Sequence, residues 1–392
     1  MPQPRPMLQK YLIADLPKAD ALLPFLRRID ETRWHTNFGP LATEFEHKMR
    51  DLLAAVDPYP DFGAIRLTTI STCHHALAVG LRMLHVPQGG KVLVPAVTFP
   101  SCPLAVQEAG GEAILGDVDP DTWTLTPQTA RSIAEKNKLS AVMPVAIYGV
   151  PLPIEAWDEF QRDTGIPVII DAAAAIERQI IPQLALVAHS LHATKPFGAG
   201  EGGFLVSRSQ DIIDRVRIYS NFGTLDRISV FDGSNTKMSE YHAAVGVAQF
   251  ERWQAIKQKR HEQLSLYKKH LEPLASSLSL QPGLDQAVTS ALMLRLNKPV
   301  AAEVIAAGPT VAIAFHKMYL PPLYRHPYFA NLSVANQKGY VIARNAPLET
   351  KAAHMPHSET MFVHIVGVPF HPFLEEEDIG YVTTSLQRLL AA

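Results

Sequence analysis

Lys195 stands just past the apolar run Ala185–Leu191 and just before the glycine-rich turn Gly200-Glu201-Gly202-Gly203. A lysine whose amine is partly stripped of water loses its proton nearer neutral pH and attacks a carbonyl. Asp171 ends a second apolar run, Val168-Ile169-Ile170, and is followed by Ala172-Ala173-Ala174. A carboxylate at the end of a buried strand needs a partner, because burying a lone charge is costly. A protonated pyridine nitrogen would be such a partner, and the ion pair would keep the ring an electron sink. The pair is what a pyridoxal phosphate (PLP) site requires: an amine to hold the aldehyde as a Schiff base and an acid to hold the ring cationic. Each residue alone has a plainer reading, a loop lysine and a helix N-cap aspartate. Their joint presence favours the chemistry.

The elements that must position them alternate. Strands are expected at Val92–Val94, Ala113–Leu115, Ala141–Ile147, Val168–Ile170, Ala185–Leu191 and Phe204–Val206, with helices near 75–85, 101–109, 126–136, 154–164 and 209–219. That order is the mark of βαβ units on a mostly parallel sheet, whose ligand sites lie beyond the carboxyl ends of the strands. A long helix is expected from Ser239 to about Leu271, where apolar residues recur at three- and four-residue spacing. Beyond it, strands are expected at Ala291–Leu296, Val311–Phe315 and Phe362–Val368, a proline-rich loop at 319–324 and a last helix at Glu375–Leu390.

The 392 residues exceed one ordinary core, so two domains are the default. Hydrophobic residues make up 47% and charged ones 19%, a globular balance, and the formal net charge of -2 offers no basic field for nucleic acid or an anionic membrane. Cys73 and Cys102, the only cysteines, are too few for a disulfide framework and read as buried small hydrophobes or free thiols. No signal-peptide pattern and no membrane-length apolar run is visible, so a cytoplasmic protein is expected.

Many landmarks occur in one order: Asn37-Phe38-Gly39-Pro40-Leu41, Val94-Pro95-Ala96-Val97-Thr98-Phe99, Asp117-Val118-Asp119, Pro144 to Gly149, Ser190 to Lys195 with Glu201-Gly202-Gly203, Gly233 to Glu240, and Val368 to Pro372. In this the chain resembles the DegT/DnrJ/EryC1/StrS family of PLP-dependent sugar aminotransferases over roughly residues 35 to 390. The resemblance implies the PLP-dependent transferase fold type I, an α/β fold with a mostly parallel seven-stranded-type sheet flanked by helices, plus a smaller C-terminal α+β domain. Residues 1–250 would carry the N-terminal segment and large PLP-binding domain, and 251–392 the long linking helix and small domain.

The resemblance also implies roles. Lys195 would form the Schiff base and shuttle a proton, Asp171 would pair with the pyridine nitrogen, and Phe99 would stack on the ring. Ser190 would donate to the phosphate, as would backbone amides of the turn Thr72-Cys73-His74 at a helix start, where the dipole favours anions. Asn235 would reach the phosphate of a neighbouring subunit, which implies a homodimer with shared active sites. Substrate-side donors would come from Asn37, Tyr148, Lys237, Tyr319, Tyr324 and Arg325, each by default a surface polar residue. Four departures stand out. The phosphate turn has Cys73-His74 where the family reads Gly-Thr. Ala174 replaces a glutamine or histidine, and Ala146 and Tyr324 stand where histidines are common.

The activity implied is transfer of an amino group from L-glutamate, through pyridoxamine phosphate, to a keto-sugar, foremost a nucleotide-linked 3- or 4-keto-deoxyhexose. One alternative is a PLP-dependent sugar dehydratase, in whose relatives the Schiff-base lysine is a histidine; Lys195 is retained here. The other is a non-catalytic PLP-fold binding or regulatory protein, which the altered phosphate turn and Ala174 favour and the retained Ser190, Asp171 and Lys195 oppose.

Overall fold

Strand formation follows the short runs of buried β-branched and leucine residues. A computed structural model describes residues 6–391. The main sheet consists of β1 (Arg66–Ile70), β2 (Lys91–Pro95), β3 (Glu112–Gly116), β4 (Ala141–Val142), β5 (Ile169–Asp171), β6 (Leu186–Ser190) and β7 (Gly203–Ser207). Ladders give the orders 1-7-6-5 and 3-2-4, and the parallel bridges Val142 to Val168 and Val145 to Asp171 join β4 to β5. The full order is therefore 3-2-4-5-6-7-1, with β7 antiparallel to both neighbours. A C-terminal segment, Ser333–Ala335, adds a further parallel strand beside β3.

Helices α1 (Ala19–Thr32), α2 (Pro40–Ala55), α3 (Cys73–Met83), α4 (Ser101–Glu108), α5 (Pro127–Lys136), α6 (Ile154–Thr164), α7 (Gln210–Ser220) and α8 (Glu240–Leu271) surround the sheet. Two hydrophobic cores form with it, one around Leu77, Val94 and Leu205, the other around Phe45, Trp157 and Phe204. Because both faces are covered, the strands read as continuous apolar runs. Glu240, the first residue of α8 and almost fully buried, accepts the amides of Leu41 and Ala42 at 2.7 and 2.9 Å. The start of α2 is thereby capped by the start of α8.

The small C-terminal sheet is antiparallel: Leu278–Leu280, Leu292–Leu296 and Ile365–Val368. Its own core gathers Leu264, Tyr267, Leu294, Val366 and Leu386 and takes Leu8 from the N-terminal segment. No helix among the described residues is long and apolar enough to cross a membrane.

Three expectations are corrected, and one strand is added to them. β1 was not foreseen, because Thr68 and Thr69 break its apolar pattern; both are buried and hydrogen-bond Glu46. Ala141–Ile147 forms a ladder only at Ala141–Val142: Pro144 cannot donate to one, and a 3-10 turn follows at Ile147–Gly149. Val311–Phe315 is no strand; a 3-10 turn begun by Gly308-Pro309 ends at Val311. Phe362–His364 is the last turn of the helix Pro356–His364, and the strand starts at Ile365. That helix is started from afar, since Asp117 accepts the amides of His357 and Ser358 at 3.2 and 2.8 Å.

Candidate active site

β5 and β6 run side by side in parallel, with Asp171 opposite Ala188, so both open on the same edge of the sheet. Asp171 is 5% exposed. Its Oδ1 accepts the Ala173 amide at 2.9 Å, and its Oδ2 accepts the Cys102 thiol at 3.1 Å. Beyond β6 the chain turns tightly: the amide of Ala193 bonds the Gly200 carbonyl at 2.7 Å, and that of Lys195 bonds His192 at 2.9 Å. The Lys195 amine lies within electrostatic reach of Tyr319, Asp171 and Cys73. Burial pulls this amine's pKa down, but Tyr319, which hydrogen-bonds it, together with Asp171 and Cys73, outweighs burial and raises it above its ordinary value. The expected loss of the proton by desolvation is thus reversed in the protein alone.

A phosphate-sized anion has a cradle next to this pair. Thr72 caps α3, its hydroxyl accepting the His75 amide at 3.1 Å, while helix geometry leaves the first amides of α3 without intrahelical acceptors. Gly203 lies so close that a Cβ there would sit 2.5 Å from the Cys73 nitrogen, so only glycine lets β7 approach the helix start. Ser190 is the register partner of Gly203, and its Oγ accepts the His192 amide at 3.2 Å, leaving the hydroxyl proton to donate outward.

Aromatic side chains wall the other side. Phe99, which follows β2, is 58% exposed and meets Tyr319 edge-on at 6.0 Å between centroids. Tyr319 stacks on Tyr148 at 5.4 Å. Tyr148 is 1% exposed, and its hydroxyl donates to the Met318 carbonyl at 2.9 Å, so it orients Tyr319 rather than facing solvent.

Other candidates lie elsewhere. The His74 ring turns to α4, pairing with Ser101 at 3.0 Å and Glu108 at 2.8 Å, so only its backbone belongs to the cradle. Tyr324 is fully buried and donates to Glu359 at 2.6 Å; burial and that bond drive its pKa far up. Arg325 binds both oxygens of Glu359, at 2.7 and 2.6 Å. Glu359 thus engages both of these expected substrate-side residues within the protein. Lys237 donates to Asn235 at 2.7 Å, and their segment is pinned beside the cradle by the Ser71 amide on the Thr236 carbonyl, also at 2.7 Å. Asn37 is exposed in the left-handed region, at φ 62°, next to Phe38 at φ 55°. Ala146 and Ala174 are buried alanines without side-chain polarity to offer.

Cys102 is a free, buried thiol as its sequence reading expects, but neither it nor Thr98 is given a part in the site by that reading. A cysteine four residues after a threonine, one turn past the strand that precedes Phe99, is the only signal the chain gives for them.

The profile of the DegT/DnrJ/EryC1/StrS aminotransferase family matches residues 19–387. The protein Rv3402c of Mycobacterium tuberculosis (strain ATCC 25618 / H37Rv) is 26% identical over 374 residues, covering 92% of this chain and 85% of that one. A dTDP-4-amino-4,6-dideoxy-D-glucose transaminase of Shigella dysenteriae is 27% identical over 266 residues, 66% of this chain and 69% of its own. The crystal structure of a DegT DnrJ EryC1 StrS aminotransferase from Brucella abortus superposes with a TM-score of 0.79 at 20% identity, covering 95% and 96% of the two chains, and carries the same fold. With the fold and the matched length in agreement, this chain belongs to the DegT/DnrJ/EryC1/StrS aminotransferase family, a family of PLP-dependent enzymes.

Proposed function

We propose that this protein is a PLP-dependent aminotransferase that moves an amino group from L-glutamate to a keto-sugar, in a homodimer with shared active sites. The observation that carries this reading is that the buried Asp171 carboxylate lies within electrostatic reach of the Lys195 amine, past neighbouring parallel strands. The residues fit the cofactor. An uncovered phenylalanine ring, a buried carboxylate with both oxygens already oriented, and a glycine-cleared helix start are the three features a flat, cationic, phosphorylated ring needs. The Shigella relative supports a nucleotide-linked sugar as acceptor.

PLP, when bound, supplies an aldehyde for amines and an electron sink for the carbon next to the nitrogen. Phe99 would cover one face of the ring, and Asp171 would hold the proton on its nitrogen. Ser190 and the amides of Cys73 and His74 would hold its phosphate, joined by Asn235 of the neighbouring copy. Lys195 Nζ would take the proton from the donor's carbon and return one to the acceptor's, a general acid–base role. Its raised pKa leaves the amine protonated in the protein alone, so cofactor uptake is favoured as pH rises.

A spectrum tests the reading. Purified protein with PLP should show a visible band that bleaches on adding L-glutamate and returns on adding a keto-sugar nucleotide. Bound PLP that glutamate leaves unchanged would refute the donor, and no binding would refute the reading.

A further inference from the structure

The turn from Thr98 to Cys102 touches the site three times. Phe99 gives the exposed ring, Ser101 holds the His74 ring at 3.0 Å, and Cys102 reaches Asp171. Thr98 and Cys102 are buried. The Cys102 sulfur lies 3.2 Å from the Thr98 hydroxyl and 3.1 Å from Asp171 Oδ2. A thiol carries one proton, and an ionised carboxylate only accepts. The S–H therefore points at Asp171, and the threonine O–H points at sulfur. The result is a directed chain, Thr98 to Cys102 to Asp171, whose bonds polarise one another. Burial and the charge of Asp171 push the thiol's pKa well above its ordinary value, so its proton stays in place. With the Ala173 amide on Oδ1, both carboxylate oxygens are held by the chain.

We propose that Cys102 is a positioning residue, its thiol fixing the carboxylate of Asp171 for the ring nitrogen of the cofactor. Sulfur suits the task because it is a weak donor. It orients Asp171 while taking less electron density from it than a hydroxyl would. The role rests on the PLP reading above, but the bond itself can be seen without cofactor.

The first measurement uses the protein without PLP, in a Cys73→Ser background so that one thiol remains. Infrared absorption should show the Cys102 S–H stretch at the lowered frequency of a hydrogen-bonded thiol, and Asp171→Ala should raise it. The second uses PLP-loaded protein with intact Cys73. Cys102→Ala should slow the single-turnover reaction with glutamate about tenfold, the loss expected for one bond to a charged group, with little change in glutamate affinity. It should also move the pH at which the cofactor band titrates. Cys102→Ser should recover the rate to within about threefold. An S–H stretch indifferent to Asp171→Ala, or a Cys102→Ala protein matching the parent in rate and titration, would overturn the role while leaving the aminotransferase reading intact. Failure of the parent to bind PLP would remove that reading, and this role with it.

Discussion

Tyr148 and Tyr319 stack nearly parallel, 8° apart, and both have left-handed backbones, at φ 58° and 63°. Two non-glycine residues in that region, stacked on each other, hold an unfavourable geometry that the surrounding packing must enforce. The outcome is that the Tyr319 hydroxyl meets the Lys195 amine. Tyr319→Phe keeps the ring and removes the hydroxyl, so burial acts with less opposition and the amine's pKa falls. The rate of PLP uptake, followed against pH, should then rise at lower pH than in the parent. An unmoved profile would mean the hydroxyl does not govern the amine.

Lys195→Ala removes no large apolar group and should fold with an unchanged denaturation midpoint. Turnover should drop about a thousandfold or more, as expected for a lost acid–base group. Asn235→Ala tests the shared site. If Asn235 serves the partner's cofactor, each single variant forms defective homodimers, but their mixture restores one intact site per mixed dimer. Activity regained after co-refolding K195A with N235A measures this, and none regained would confine Asn235 to its own subunit.

Glu359 separates structure from catalysis. It accepts from Tyr324 and binds Arg325 through both oxygens, with side chains of 28% and 22% exposure in the ion pair. Glu359→Ala leaves a buried phenol and a cation without partners. Allowing for partial solvent screening, the cost should be about 2 kcal/mol, read from urea unfolding. The apparent affinity for the sugar substrate should stay unchanged; a selective loss of it would return Tyr324 and Arg325 to the substrate side.

His189 gives a pH dependence. It is fully buried, stacks on Phe204 at 4.8 Å and bonds the Ala172 carbonyl at 3.1 Å, and burial lowers its pKa from 6.5 to about 4. The unfolded chain therefore binds a proton first as pH falls. Stability from this group is complete above pH 6.5 and is lost between there and about pH 4, by about 3 kcal/mol. Unfolding free energies at pH 7 and pH 5 should diverge less in His189→Asn than in the parent.

What was legible in the sequence was whatever local pattern controls. Helices α3 to α8 begin and end within two residues of their expected bounds, because caps such as Thr72, Thr126 and Ser239 and the apolar spacing lie in the same few residues. Asp171, which ends one apolar run, and Lys195, four residues past another, stand out by position. β1 was not, since its threonines are buried by a distant partner, Glu46. The helix Pro356–His364 was not, since its cap is Asp117. The same holds within the site: Tyr324 and Arg325 fitted a substrate loop by type and place, but Glu359 claims them from 34 and 35 residues away. The Cys102 contact spans 69 residues and has no local trace.

The carboxylate of Glu240 bolts the first turn of α2 to the near end of α8. The loop carrying Asn37 is thereby anchored to the start of α8, four residues from Leu41. Further along α8, Leu264 and Tyr267 join the separate C-terminal core, so this one helix takes part in both that core and the one around Phe45. The stretch that carries Asn37 and Phe38 is tied down on both sides by one residue, since the Glu240 amide also donates to the His35 carbonyl at 3.0 Å.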